Sequence, residues 1–455
     1  VLADEGRHGE EATMDATPEE TLTDAVTGRQ MLAAVVASTL GWALDLFDLF
    51  ILLFVAPIVG RLFFPSSVAT LSLAAVYASF AVTLLMRPVG SALFGSYADR
   101  RGRKGAMIVA VVGVGVSTAL FGALPTYGQI GVAAPLIFLV LRLVQGVFVG
   151  GVVASTHTIG TESVPARWRG AMSGLVGGGG AGIGALLASF FYFVTSAAFP
   201  GEQFAVWGWR FMFFAGILSA LLGVFIFRGL EESPVWARLA QERARRGPTR
   251  PRSPIRALFT REYGRTMLVN IMLTTGAGAG YYLTSGFMPT FLKVVVKLPN
   301  ETASLILIAS SLFAIVCGVT TGHVSTLVGR RRVFVVFGVL RLLLLPFCFL
   351  AMADAGGDPM RIAGLAMLMT LLAGGSYAPL LIFLNERFPT ALRSTGTGLS
   401  WNIGFALGGI MPTFVSLASP TTDYLPGVLG IFLAAISVIF LAGAVLSPET
   451  KGDLR

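Results

Sequence analysis

The sequence predicts an all-α integral membrane protein, with twelve transmembrane helices in two six-helix halves around a central cavity. Three observations predict it. Of 455 residues, 55% are hydrophobic and 13% charged, where a soluble chain carries about 25% charged residues; lipid must therefore be the solvent for most of the chain. The apolar residues gather into runs of about 20 or more, the length a helix needs to cross a bilayer. The basic residues fall in alternate loops between those runs, which is a topology signal.

In chain order, residues 1–28 form an acidic tail holding Asp4, Glu5, Glu10, Glu11, Asp15, Glu19, Glu20 and Asp24. It lacks the basic-then-apolar pattern of a secretory leader. Within it Thr17, Pro18 and Glu20 suit the N-cap, N1 and N3 positions of a short helix, and the remainder is expected to be disordered. The N-terminal half, 29–228, holds runs near 31–58, 68–96, 105–125, 132–160, 171–198 and 208–228. A linker, 229–265, contains nine Arg and the stretch "RARRGPTRPRSP", which reads as a solvated tether. The C-terminal half, 266–447, holds runs near 266–292, 302–325, 333–352, 362–384, 396–418 and 424–446, and a short tail, 448–455, ends the chain.

An even number of spans puts both termini on one side. The loops on that side carry "DRRGRK", "RWR", "GRRR" and "NERFPTALR", whereas the opposite loops hold only Arg61, Arg210, Lys293, Lys297 and Arg361. By the positive-inside rule both termini and the linker are expected to be cytoplasmic, in a multi-pass protein of the cell (inner) membrane. The net charge of +9 is thus accounted for by topology, and no nucleic-acid partner is expected.

Catalytic classes find little support. Cys317 and Cys348 lie inside apolar runs and read as small core residues. Three histidines without Cys/His clustering predict no metal site, and neither a phosphate-binding loop nor a G-x-S-x-G elbow occurs. No enzyme activity and no cofactor are expected; the energy source would be the proton gradient.

The chain repeats itself. "ESVPARWRGAMSG" (162–174) aligns without gaps to "ERFPTALRSTGTG" (386–398), matching Glu162 to Glu386, Pro165 to Pro389, Arg169 to Arg393 and Gly174 to Gly398. "GSYADRRGRK" (95–104) is echoed by "GHVSTLVGRR" (322–331). Two such halves joined by a basic linker are a transporter architecture, with the substrate site near the midplane between them.

These residues resemble the major facilitator superfamily over nearly the whole chain. Gly95-x-x-x-Asp99-Arg100-x-Gly102-Arg103-Lys104 is similar to its loop 2–3 signature, and "LRLVQGVFVGG" (141–151) to its span-4 signature. "WGWRFMF", "EESPVW" and "DLFD" resemble the metabolite, sialate and aromatic-acid proton symporter branches. The resemblance implies inter-span salt bridges that close the cytoplasmic side, from Asp99, Arg100, Arg103, Lys104, Glu162, Arg169, Glu386 and Arg393. The second copy of the loop signature has Thr326 and Leu327 where Asp and Arg would stand. The span-5 proline of drug–proton antiporters is missing from "GGGGAGIGALLAS" (177–189), which disfavours export.

An ionisable group at the bilayer centre costs about 2.5–3.5 kcal/mol on insertion scales, so Asp45, Asp48, Arg87, Arg142 and Arg341 must face protein or water. Asp45 and Asp48 share a helix face at i and i+3. Two carboxylates in one poorly solvated site disfavour double ionisation, which suits proton coupling, with Asp48 favoured for the proton and Asp45 as its modulator. Arg142 falls at a depth similar to Asp48, so the two are expected to meet across the cavity. The resemblance implies a substrate anion at Arg142; a permanent Asp–Arg bridge between spans 1 and 4 is the structural alternative. Tyr281, Tyr282 and Tyr377, near the bend-prone glycines and prolines of spans 7 and 10, are candidate substrate contacts. Arg87 and Arg341 have no evident partner.

The expected function is proton-coupled uptake of a small organic carboxylate by alternating access, carried out by a monomer. The alternatives are a zwitterionic osmolyte or amino-acid-like solute, proton-driven export, and a sensor on a transporter scaffold.

Overall fold

The computed structural model describes residues 28–101, 103–162, 164–228, 258 and 260–452. The acidic tail with its expected cap at Thr17, and most of the linker, lie outside the described residues. Among those described there is no strand.

The N-terminal half comprises α1 (Gly28–Phe63), α2 (Ala69–Arg101), α3 (Arg103–Ala123), α4 (Ala133–Glu162), α5 (Gly180–Ala198) and α6 (Trp209–Arg228). The C-terminal half comprises α7 (Arg261–Tyr281), α8 (Asn300–Val328), α9 (Arg330–Ala353), α10 (Pro359–Tyr377), α11 (Thr390–Gly409) and α12 (Leu425–Leu446). Nine helices among the described residues are long and apolar enough to cross a membrane. Of the others, α3 contributes a shorter apolar stretch, Met107–Ala123, and α7 and α11 are each interrupted. Large apolar side chains such as Leu221, Phe225 and Ile431 point outward. They are stable there because lipid is the solvent.

Glycine and proline decide where helices bend. A π turn, Leu175–Gly179, precedes α5, and another, Tyr282–Gly286, carries α7 into a short helix, Met288–Val294. α10 breaks at Ala378–Pro379 and resumes as Leu380–Glu386. Such breaks free backbone groups that must be satisfied again within the protein. Ser173 does this for α10 from the other half, its hydroxyl donating to the Ala378 carbonyl (2.7 Å) and accepting from the Ile382 amide (3.1 Å).

The halves meet along two seams, where α5 and the short helix Arg169–Gly174 pack on α8, and α2 packs on α11. The first seam is glycine on glycine: a Cβ at Gly174 would strike the Gly318 carbonyl, and one at Gly170 the Gly322 carbonyl. The four-residue spacing places these glycines on one face of each helix, the small-residue device that lets backbones touch in lipid. This seam lies on the side from which the linker leaves, here the linker side. The side reached by the end of α1 and the start of α8 is the far side, where Tyr77 is hydrogen-bonded to Thr290 (2.9 Å) and stacked on Phe287.

Candidate substrate and proton site

Between the halves lies a cavity of about 50 Å³, room for a few waters by that measure. Phe50 and Phe54 of α1 reach it from one side. Gly178 and Ser189 border it on the α5 stretch, Tyr281, Thr284 and Ser285 on α7 and its π turn, Ser310 and Ser311 on α8, and Thr370 and Tyr377 on α10. Among the described residues no charged side chain lines it. Its wall joins aromatic faces and hydroxyls to small and aliphatic residues such as Ala181, Ala314 and Met369, with two π turns where the backbone approaches, a feature that recurs at functional sites.

Of the three predicted tyrosines, two line this cavity. Tyr281 stacks on Tyr377 (5.9 Å, 18°) and meets Phe50 edge-on, while Tyr377 packs on Trp401 and Phe405. The Tyr281 hydroxyl has no hydrogen-bond partner. Tyr282, about 100° round the helix from Tyr281, packs on Phe80 and Phe405 and does not line the cavity.

Asp45 and Asp48 do share a face, as the spacing predicts. Both are almost fully buried and border a chamber of about 10 Å³ inside the N-terminal half, with Gly41, Leu44, Val111, Val114, Val152 and Ser219. That is space for about one water. Arg87, for which the sequence offered no partner, is the partner of Asp45: Nη2 lies 3.6 Å from Oδ2. The pair is underbonded, since Arg87 Nε and Nη1 and both Asp45 oxygens lack hydrogen bonds. Asp48 accepts one long bond from Ser219 (3.3 Å), and its other oxygen has none.

The expected meeting of Asp48 with Arg142 is not formed. Arg142 donates to Gln145 (2.7 Å), which donates to Thr118 (2.8 Å), and its guanidinium lies over the Phe121 and Phe138 rings (4.2 and 5.2 Å). The α4 residue beside Asp48 is Val152; Arg142 stands ten residues away, about 15 Å of helix rise nearer the far side, where it faces α3 rather than the cavity. Arg341 ties three helices together instead. It donates to Ser376 of α10 (2.9 Å) and to the Gly276 carbonyl of α7 (2.7 Å) and lies over Phe440 of α12 (4.6 Å).

The side chains of Asp99, Arg100, Arg103, Lys104 and Glu162 lie outside the described residues. Of the other expected gate residues, Arg169 and Arg393 are buried, and Glu386 forms a salt bridge with Arg330 (3.1 Å). Arg330 occupies, in the second copy of the loop signature, the position of Arg103 in the first. The degenerate copy thus keeps one working charge. Glu449, which no sequence pattern singles out, accepts from the Arg330 and Arg331 amides (2.8 and 3.2 Å) and caps α9. Thr450 donates to Glu386 (2.8 Å).

The Major Facilitator Superfamily family model matches residues 31–412. The chain belongs to the major facilitator superfamily. Within the superfamily it is similar to the inner membrane metabolite transport protein YhjE of Escherichia coli K12, at 32% identity over 92% of this chain and 94% of that protein. It is similar to the proline/betaine transporter of the same organism, at 28% identity over 92% of this chain and 83% of the transporter. Among solved structures, a D-xylose-proton symporter superposes with a TM-score of 0.72 at 18% identity, covering 93% of this chain and 99% of the other; this likeness speaks for the fold. A superfamily member of this architecture is a secondary transporter and not an enzyme.

Proposed function

We propose that the chain is a proton-coupled symporter that takes up a small organic carboxylate across the inner membrane, with both termini cytoplasmic. The linker side is then cytoplasmic and the far side periplasmic. One observation carries this reading: the underbonded Asp45–Arg87 pair. Two of the three candidate tyrosines, Tyr281 and Tyr377, line the cavity.

The mechanism is an exchange of carboxylates on one guanidinium. Buried charge must be balanced. With Asp45 on Arg87, the two aspartates carry one proton between them. When a substrate carboxylate takes Arg87 through its vacant Nε and Nη1 donors, Asp45 loses its counter-ion and takes a proton. A bidentate Arg–carboxylate bond is the stronger contact. Asp48 stands three residues, about 4.5 Å of helix rise, nearer the far side. A proton arriving from outside reaches Asp48 first and passes to Asp45 through the one-water chamber. One proton per monoanion makes the cycle electroneutral. Displacement of the Tyr281–Tyr377 stack opens the way from the cavity to Arg87. Each loaded state removes a contact that the empty state has, and so biases the equilibrium between orientations.

A second reading is a zwitterionic osmolyte. It is favoured by the uncharged wall of aromatic faces, which suits a quaternary ammonium, and by the similarity to proline/betaine transporters. Its carboxylate would use Arg87 in the same way. Proteoliposomes with an interior pH dye separate the two, using a panel of organic acids and betaines and empty vesicles as control. Acidification by an organic anion supports the first reading, acidification by betaines alone supports the second, and silence from both removes proton coupling.

A further inference from the structure

On the far side, outside the central cavity, a vestibule of about 460 Å³ opens between the halves. It is bounded by the end of α1, the connection between α5 and α6, and the connection between α7 and α8, and Phe54 belongs to both its wall and that of the cavity. Among the described residues three cations line it, Arg61, Lys293 and Lys297, and no carboxylate does. The far-side loops hold only five basic residues, so more than half of them converge on this one space.

Their settings differ from those of ordinary surface charges. Lys293 is partly buried, with its ammonium 4.5 Å from the Tyr192 ring centroid and 5.7 Å from that of Phe204, which fixes it in place. Lys297 has φ +60°, alone among the described non-glycine residues. That conformation is disfavoured for a side chain of this kind. Glu202 and Glu301 stand nearby in the chain, yet neither is in a salt bridge with the three cations nor in the lining.

We propose that this vestibule is an anion-capture site. It concentrates small carboxylates at the entrance to the cavity and hands them past Phe54 toward Arg87. The site rests on the proposed function only for the identity of the anion. Three like charges around a water-filled space concentrate a monoanion about tenfold at low salt.

The test does not need transport. An Ala205→Cys substitution puts a thiol on the vestibule wall of the full chain, whose own Cys317 and Cys348 are buried. Its rates with an anionic and a cationic methanethiosulfonate are compared with those of 2-mercaptoethanol. The expected anionic-to-cationic ratio is at least about tenfold above that of the small thiol at low salt, falling at high salt as screening sets in. Combined Arg61→Gln, Lys293→Met and Lys297→Gln changes abolish the excess; the exposed Arg61 and Lys297, changed singly, each remove part of it. A ratio equal to that of the free thiol, or one untouched by the three substitutions, overturns the proposal.

Transport then separates this inference from the function it serves. The triple variant is expected to raise KM for a transported carboxylate several-fold with kcat unchanged. A high thiol ratio without transport of any carboxylate leaves the capture site standing and sinks the proposed substrate. Carboxylate transport with a flat thiol ratio does the reverse.

Discussion

The two halves carry their buried charges in opposite ways. Within its spans the N-terminal half holds Asp45, Asp48, Arg87 and Arg142, and several of their polar atoms have no hydrogen bond. The described mid-span residues of the C-terminal half offer only Arg341, whose two terminal nitrogens are bonded to Ser376 and to the Gly276 carbonyl, leaving Nε alone without a partner. In return that half supplies Tyr281 and Tyr377 to the cavity wall, backed by Trp401 and Phe405. A bonded guanidinium braces a bend, whereas an underbonded one is available to a ligand. On the proposed function, proton and carboxylate chemistry falls to the first half and shape selection to the second.

The largest effect is expected at Arg87. Arg87→Met should abolish uptake and destabilise the protein by about 3–5 kcal/mol, because Asp45 is left buried without a counter-ion. Adding Asp45→Leu should restore thermal stability in detergent but not uptake. Recovery of uptake in the double variant would separate transport from this pair. Next comes Asp48→Asn, which breaks the relay while leaving the Asp45–Arg87 pair whole. Proton-driven uptake should slow by about tenfold or more, a barrier increase of roughly 1.4 kcal/mol, while the pair's contribution to thermal stability stays. Normal uptake rates would remove Asp48 from the proton path.

The seam between the halves offers a third comparison. Gly174→Ala inserts a methyl against the Gly318 carbonyl, an overpacking worth about 1–3 kcal/mol. It acts on the orientation closed at the linker side, so it should shift the carrier toward the one open there. A cysteine placed beside the seam should then label faster from that side. The smallest effect is expected at Arg142. Arg142→Gln removes a guanidinium from between Phe121 and Phe138, so KM should change by no more than about threefold. A large rise in KM with intact folding would return the substrate carboxylate to Arg142.

How far the sequence could be read depends on how each property is encoded. Spans are legible because lipid demands a long apolar run, and the shared face of Asp45 and Asp48 because i and i+3 are neighbours on any helix. The Asp45–Arg87 pair was not legible, since it depends on how α1 and α2 are rotated against each other. Depth estimated from the rise per residue placed Arg142 level with Asp48, whereas Val152 is the α4 residue at that level, because span ends read from sequence do not fix how α1 and α4 slide against each other. Tyr282 was named beside Tyr281 but does not line the cavity, because consecutive residues of a helix point about 100° apart. The glycine seam left a signal that could have been used, Gly170-x-x-x-Gly174-x-x-x-Gly178 facing Gly318-x-x-x-Gly322. Glu449 left none, because a cap supplied from 119 residues away has no local pattern.

The central claim is that Asp45 takes up the coupling proton when substrate displaces it from Arg87. Asp45→Asn tests it most directly, in proteoliposomes that report labelled substrate and interior pH together. The variant is expected still to exchange labelled substrate across the membrane, but neither to acidify the interior nor to accumulate substrate against a gradient. Acidification in step with uptake, as in the unmodified protein, would contradict it.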